Sequence, residues 1–456
     1  MRNLPIITLV AVLAGCANHA KQAIALYETG DYAGAKRAAV EGLQAHPDDD
    51  ALWGMRVRAA VALGDRREIR AAYGSYRTQR GEDDRELVRD LAIATLGQAL
   101  ASPSAKLKLT AIETIAAAQL EVFAEAVTMR MDDNDDRVVA AAAIAVLHAH
   151  PQAPQIADDM LRSEDPEARR IVVDGIGRKV GAIAARELRA AVLDPDPRVR
   201  IAAIRWLGTL RDREAFEVIA RQLRHPDVAV RAVAASALAK IGIGNLGALG
   251  KQALGDQALA VRLAGIELLV AAKRSDELVA IAQRDTDPMV ALEAAIAAKR
   301  TDLAAPALER AIKSDDWTDR AGAANSAARA LGTEQATELA RRLVNDTDGR
   351  VRLAAGRVLA HAGQRDAAVA VFVAALSAPD LAIDAAGELA ELGDQRGIDL
   401  IDAALSDAQR PVDQRMAAIT AHRSARVVTP GLIAAIADPS STVRVAAAAV
   451  LIALSA

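Results

Sequence analysis

The sequence predicts an all-α protein, a right-handed α-solenoid of stacked helical hairpins. Three observations predict it. Arginine recurs at Arg169, Arg200, Arg231 and Arg262, with 31 residues between successive members, and again at Arg320, Arg352, Arg415 and Arg444. Each arginine follows an acidic turn and opens a run rich in Ala, Val and Leu, as in Asp196-Pro197-Arg198-Val199-Arg200-Ile201-Ala202-Ala203. Aromatic residues make up only 2% of the 456, so small aliphatic side chains must build the core. A fixed period in this range marks units that cannot bury an apolar face alone and acquire a core by stacking.

The chain begins with a segment of a different kind. Met1-Arg2-Asn3 is a short positive start, Leu4 to Val12 is mostly apolar, and Leu13-Ala14-Gly15-Cys16 follows directly. This is the layout of a secretory signal over 1–15. Leu13, Ala14, Gly15 and Cys16 resemble a bacterial lipobox. The resemblance implies a diacylated Cys16 as the mature N-terminus, with 16–20 as a tether to the membrane. Two or three acyl chains anchor a protein stably where one does not. Ala17 stands where an inner-membrane retention signal places Asp, so the implied location is the outer membrane, facing the periplasm. Cys16 is the only cysteine, which excludes an internal disulfide and a cysteine-based metal site.

Residues 21–82 carry a second periodicity. Gly30-Asp31-Tyr32 is echoed 34 positions later by Gly64-Asp65, which is the tetratricopeptide period. Leu26, Ala35, Gly42 and Pro47, then Trp53 and Tyr73, resemble the small- and large-residue positions of two tetratricopeptide hairpins, the second departing from the pattern at Ile69 and Gly81. A polar break at 77–84 precedes a connecting helix over 83–103.

The array proper spans 104–456. The pattern around the arginines persists at Lys108, Val139, Ala291 and Asp384, giving about twelve units, the last incomplete. One unit is legible over 194–224. Asp196 is an N-cap and Pro197 occupies the first helical position. Val199, Ala202, Ala203, Trp206, Leu207 and Leu210 fall on one stripe. Arg211-Asp212 ends that helix, and a second follows with Ala215, Val218, Ile219 and Leu223 inward. His225-Pro226-Asp227 then opens the next unit, as Asp165-Pro166, Asp287-Pro288 and Asp438-Pro439 do elsewhere.

The stretch DPDPRVRIAAIRWLGTL at 194–210 resembles bacterial HEAT-like repeats, in the short form shared with the phycobilin-lyase group. In that family the recurrent Asp and Arg form a ladder between neighbouring units. The resemblance therefore implies structural roles for Asp165, Asp196 and Asp227 and for Arg169, Arg200, Arg231, Arg262, Arg320, Arg352, Arg415 and Arg444.

Several apparent motifs fail on inspection. Gly242-Ile243-Gly244-Asn245-Leu246-Gly247 fits a dinucleotide fingerprint in letters only, because it follows a helix and not a strand. Asp132-Asp133-Asn134-Asp135-Asp136 starts like a calcium loop, but Arg137 replaces the sharp-turn glycine and Ala143 the bidentate Glu. His148 and His150, two apart on a helix end, point in different directions. No catalytic residue, cofactor or metal is expected. A formal charge of −4 from 56 basic and 60 acidic residues gives no electrostatic footprint for nucleic acid.

The last helix, 440–454, is strongly apolar with no second helix after it, which leaves two readings: an exposed apolar stripe for self-association or partner docking, or a face that small Ala residues make only mildly apolar. The expected function is a lipid-anchored envelope scaffold or adaptor that binds protein partners along the solenoid, without catalysis. The alternatives are a lyase-like repeat enzyme and a periplasmic ligand- or peptidoglycan-binding module.

Overall fold

The structure, a computed structural model, describes residues 19–63, 65–80 and 84–455. Leu13, Ala14, Gly15 and Cys16, and with them the signal and lipidation readings, lie outside the described residues. Every regular element within them is helical. The chain divides into two compact units, one formed by Met1–Phe123 together with Ala386–Ala456, the other by Ala124–Ala385.

Unit Ala124–Ala385 repeats one hairpin. Its first helices, here A helices, include Asp136–Ala145, Pro166–Lys179, Pro197–Thr209, Val228–Ile241, Leu259–Ala271, Pro288–Ala297, Trp317–Leu331 and Gly349–His361. The B helices that follow include Ala153–Met160, Ala185–Ala191, Phe216–Gln222, Leu246–Leu254, Ser275–Arg284, Thr301–Ala311, Thr333–Leu343 and Arg365–Ala375. Val139, Arg169, Arg200, Arg231, Arg262, Ala291, Arg320 and Arg352 each fall in one of these A helices. Lys108, Asp384, Arg415 and Arg444 fall in the helices Ala105–Ala117, Ala382–Glu391, Val412–Ala425 and Ser441–Ser455.

The turns between units explain where A helices start. Asp165, Asp196 and Asp227 are N-caps whose carboxylates accept from the N–H groups of Glu167, Arg198 and Ala229 at 2.7, 2.8 and 2.7 Å. A side-chain cap of this kind stabilises a helix by about 1 kcal/mol. Inward from the cap, Val199, Ala203 and Leu207 are fully buried, as is Ile219 of the B helix that follows. Neighbouring A helices approach backbone to backbone: a Cβ placed on Gly208 would stand 2.8 Å from Ala237 Cα.

Trp206, expected within the hairpin stripe, reaches instead onto the preceding A helix. It lies where a side chain at Gly177 would be, and its Nε1–H donates to Asp174 Oδ1 at 3.0 Å. A half-buried indole needs a partner for its N–H, and the preceding unit supplies one.

The other unit pairs the two ends of the chain. Helical residues 19–28 and Tyr32–Ala45, then Asp50–Ala62 and Arg66–Arg80, precede the helices Arg85–Leu100 and Ala105–Ala117. Ala23, Ala38, Ala39, Leu43, Leu52 and Met55 form a core across the first hairpins.

The reading of an exposed stripe on the C-terminal helix is overturned here. Ser441–Ser455 packs on Arg85–Leu100, on Ala105–Ala117 and on Val412–Ala425. Val443, Val445, Val450, Leu451 and Ile452 are buried, none more than 6% exposed. A helix apolar on several sides is one that is covered on several sides. The cover comes from residues 85–117, far away in sequence, so no reading of contiguous repeats could supply it.

Candidate functional site: the arginine ladder and its surroundings

The recurrent arginines tie turns together. Arg169 donates from Nε and Nη2 to both carboxylate oxygens of Asp194 at 2.7 and 2.9 Å, and from Nη1 to the carbonyls of Ser163 and Glu164 at 2.7 and 3.2 Å. One guanidinium therefore holds the turn before its own helix and the turn before the next. Arg231 repeats this with Asp256 and the carbonyls of His225 and Pro226. Arg320 does so with Asp346 and the carbonyls of Ser314 and Asp315. Arg262 pairs with Asp287, and Arg415 with Asp438 in a fully enclosed contact.

Three further ladder positions hold their turns through other acceptors. Arg200 donates to Gln222 Oε1 at 3.0 Å and to the Asp194 carbonyl. Arg352 and Arg444 donate to the carbonyls of Asp346 and Asp438, both at 2.7 Å.

The carboxylates that receive the forks are not the N-caps Asp165, Asp196 and Asp227. Asp194 and Asp346 stand two residues before an N-cap, and each also accepts the cap's own N–H at 2.8 Å. The doublets Asp194-Pro195-Asp196 and Asp346-Thr347-Asp348 carry that division of labour in the sequence. Sequence reasoning took the second member of these two doublets and missed the first; Asp287 differs, serving as N-cap and as the partner of Arg262 at once.

The N-cap carboxylates have their own arginines. Arg137, Arg198, Arg350 and Arg396 fold back on Asp135, Asp196, Asp348 and Asp394. Arg350 also lies 3.6 Å from the ring centroid of Trp317 on the neighbouring A helix, a cation–π contact between repeats.

These contacts set the protonation states. The side-chain hydrogen bonds from Arg231, Arg320 and Arg198 hold the carboxyls of Asp256, Asp346 and Asp196 below the usual carboxylate range. Hydrogen bonds from Arg350 lower Asp348 to about 2. The partner guanidiniums of Arg169, Arg231 and Arg320 are raised by the same pairs. Proton transfer catalysis requires a pKa near the working pH, and these carboxyls and guanidiniums are driven away from it.

Two clefts lie beside these elements. In unit Ala124–Ala385 a cleft of about 450 Å³ opens between the B helices Ala153–Met160 and Ala185–Ala191, with Arg169 and Asp194 in its lining. In the other unit an open cleft of about 680 Å³ is floored by Ala446, Ala449 and Ala453 and walled by Thr114 and Ile419. Near it His422 is fully buried. Its Nδ1 lies 2.7 Å from the Ala418 carbonyl and its Nε2 2.8 Å from Thr429 Oγ1. A carbonyl can only accept, so Nδ1 carries the proton and Nε2 accepts from the hydroxyl. Burial pushes the imidazole pKa down, and the ring is a neutral structural link.

The motifs set aside in the sequence are turns. Gly242 ends an A helix with φ +74°, Gly244 accommodates the Phe216 ring, and Asn245 caps the next helix by accepting from Ala248 N–H at 3.1 Å. Asp135 caps the helix at Asp136–Ala145, and Asp133 accepts from Asp135 N–H. His148 Nε2 lies 3.3 Å from the Lys179 carbonyl. Among the described residues no group of three or more His, Cys, Asp and Glu is placed to hold a metal ion, and no helix is long and apolar enough to cross a membrane.

A stack of helical hairpins locked by a turn-to-turn ladder defines an α-solenoid. The HEAT-repeat profile matches residues 153–239 and 185–269, so the repeats there are of the HEAT class. The chain is similar to the complex of CpcE and CpcF of phycocyanin lyase from Nostoc sp. PCC7120, at 19% identity over 62% of this chain and 92% of that one, with a TM-score of 0.28. It is similar to Naa15/Naa10 bound to HypK-THB at 14% identity, covering 90% and 68% of the two chains, with a TM-score of 0.31. Importin beta follows at 15% identity, 89% and 59% coverage and a TM-score of 0.26. No curated protein matches the chain in sequence.

Proposed function

We propose that this protein is a non-catalytic scaffold that binds protein partners along its HEAT-repeat surface, held at the bacterial envelope by lipid on Cys16. In this reading Leu13-Ala14-Gly15-Cys16 is a lipobox, residues 21–82 are tetratricopeptide-like hairpins, and the array faces the periplasm from the outer membrane. The observation that carries the scaffold reading is the division of polar residues between two tasks. The recurrent Arg and Asp are spent on joining turns, whereas the exposed residues of the B helices change from unit to unit: Arg186, Glu217 and Arg221, Lys251, then Glu334, Glu338 and Arg341. A repeated backbone presenting a non-repeated surface is how a solenoid acquires specific partners.

The test has two arms. Crosslinking and affinity purification of the full chain from its native envelope should return the same partner protein across growth conditions; an empty result in each would sink the scaffold reading. Replacing Cys16 with Ala should abolish incorporation of labelled palmitate and release the protein from membranes on fractionation. Unaltered labelling in that variant would sink the anchor.

A further inference from the structure

All A-to-B turns of unit Ala124–Ala385 lie at the same end of their A helices, so in a stack of such hairpins they form one edge. Along this edge, in five consecutive repeats, stand Arg178, Arg211, Arg213, Lys240, Lys273 and Lys299, every one exposed. None of the six makes an ion pair among the described residues. The acids of the same turns are mostly neutralised by other arginines. Arg189 reaches up from its B helix to Asp212 and Glu214 at 3.1 and 2.7 Å, while Arg274 and Arg300 hold Glu277 and Asp302. Of the acids that open the B helices on this edge, Glu217 and Asp276 have no partner among the described residues. The row thus carries an uncompensated positive charge, in contrast to the ladder at the other end of the A helices.

The backbone gives a second argument. Arg211, Lys273 and Lys299 adopt φ of 53°, 56° and 57°, the left-handed conformation that Gly181, Gly242, Gly332 and Gly363 provide in other repeats. A side chain there costs roughly 1–2 kcal/mol. The attraction of a cation to a helix C-terminus returns about 0.3–1 kcal/mol, less where water screens it. Helix capping alone would favour Gly, and strain retained at one repeated position points to use of the side chains.

We propose that this edge, from Arg178 to Lys299, binds an extended acidic polypeptide segment of a partner protein. The proposal rests on the scaffold reading above and names the chemistry of one partner surface. Neighbouring helices in such a stack are about 8–10 Å apart. An extended chain in the polyproline II conformation advances about 3.1 Å per residue with three residues per turn, so every third side chain falls in step with the row. Five turns span roughly 32–40 Å, which about 10–12 extended residues cover. Ile183, 89% exposed beside Arg178, offers an apolar contact at one end. Aromatic residues are only 2% of the chain, which argues against a platform for stacked bases.

The test is fluorescence anisotropy on the full chain with a labelled peptide of about 12 residues carrying Glu at every third position, in about 50 mM salt where screening is weak. Saturable binding that weakens as salt rises is expected. The triple variant Arg211→Gly, Lys273→Gly, Lys299→Gly should bind at least about tenfold more weakly while unfolding at higher denaturant, so its loss cannot come from misfolding. Unchanged affinity in that variant would overturn the proposal. So would an equal loss in the control Arg224→Ser, Arg284→Ser, Lys313→Ser, or tighter binding of phosphatidylglycerol vesicles or a single-stranded oligonucleotide through the same three residues. Partner capture in the crosslinking experiment that persists undiminished in the triple variant sinks the edge alone; capture of nothing by the unaltered protein sinks the scaffold reading.

Discussion

Arg169 shows what one residue does for a solenoid: its fork to Asp194 crosses from one unit to the next, and its remaining nitrogen satisfies two carbonyls of its own turn. Arg169→Ala leaves a carboxylate and two carbonyls without that partner, at a cost of about 2–4 kcal/mol. Arg169→Lys keeps the charge but cannot fork, so equilibrium denaturation should place it between the two. A lysine variant as stable as the original would show that charge alone matters. The ladder also fixes the acid limit of the fold. Asp196, Asp256 and Asp346 are lowered, and Asp348 lies at about 2, against about 3.9 in an unfolded chain. The folded state binds these protons less readily, so the stabilisation is complete above the unfolded value and is lost as pH falls through the folded one. Melting temperature should fall steeply between about pH 4 and 2, and Asp348→Asn should flatten part of that fall; identical acid profiles for the two proteins would refute the assignment. The recurring arginine was legible because its spacing repeats. Its acidic partner was not, because two aspartates compete in each doublet and only geometry separates cap from fork.

At the scale of the element, helix starts were easier to read than helix ends. Asp-Pro marks a start by chemistry that is local: a carboxylate for the first free N–H groups and a ring that needs none. The ends use a left-handed residue, and here the sequence disguises the position, with Gly in some repeats and Gln119, Arg211, Lys273, Lys299 or Arg426 in others. Sequence reading therefore saw Arg211-Asp212 as a break without recognising a second register mark. Each of Lys273→Gly and Lys299→Gly should stabilise the protein by about 1 kcal/mol, the relief of left-handed strain less the extra freedom of Gly in the unfolded chain. Gly181→Ala should destabilise it by a similar amount for the mirror-image reason, its φ being +67°. Denaturant titration reads both; a lysine whose removal destabilises would mean that its charge at the helix terminus outweighs the strain.

At the scale of the molecule the decisive contact joins residues that no repeat period relates. The last helix, Ser441–Ser455, lacks a following B helix among the described residues, and the sequence alone leaves its valines and leucines looking for cover. Arg85–Leu100 supplies it, burying its own Leu87, Leu91 and Leu96 in the same unit. Nearest-neighbour stacking was legible because each unit repeats its neighbour's pattern; this pairing was not, because helices 85–100 and 441–455 share no motif. The consequence is that the C-terminal helix is a structural member, and substitutions in it test a core. Leu451→Ala should cost about 2–5 kcal/mol, the range for a large aliphatic side chain removed from a packed interior. Ile452→Glu should cost more, since it buries a charge without a partner. The loss should be communicated across the sequence: hydrogen exchange should accelerate in 85–100 and 105–117 when Leu451 is cut back, with the amides of Pro197–Thr209 and Val228–Ile241 little changed. Acceleration confined to 441–455 would show instead that the last helix frays alone and that the early helices hold without it, because protection in the shared core can only be lost by both partners together.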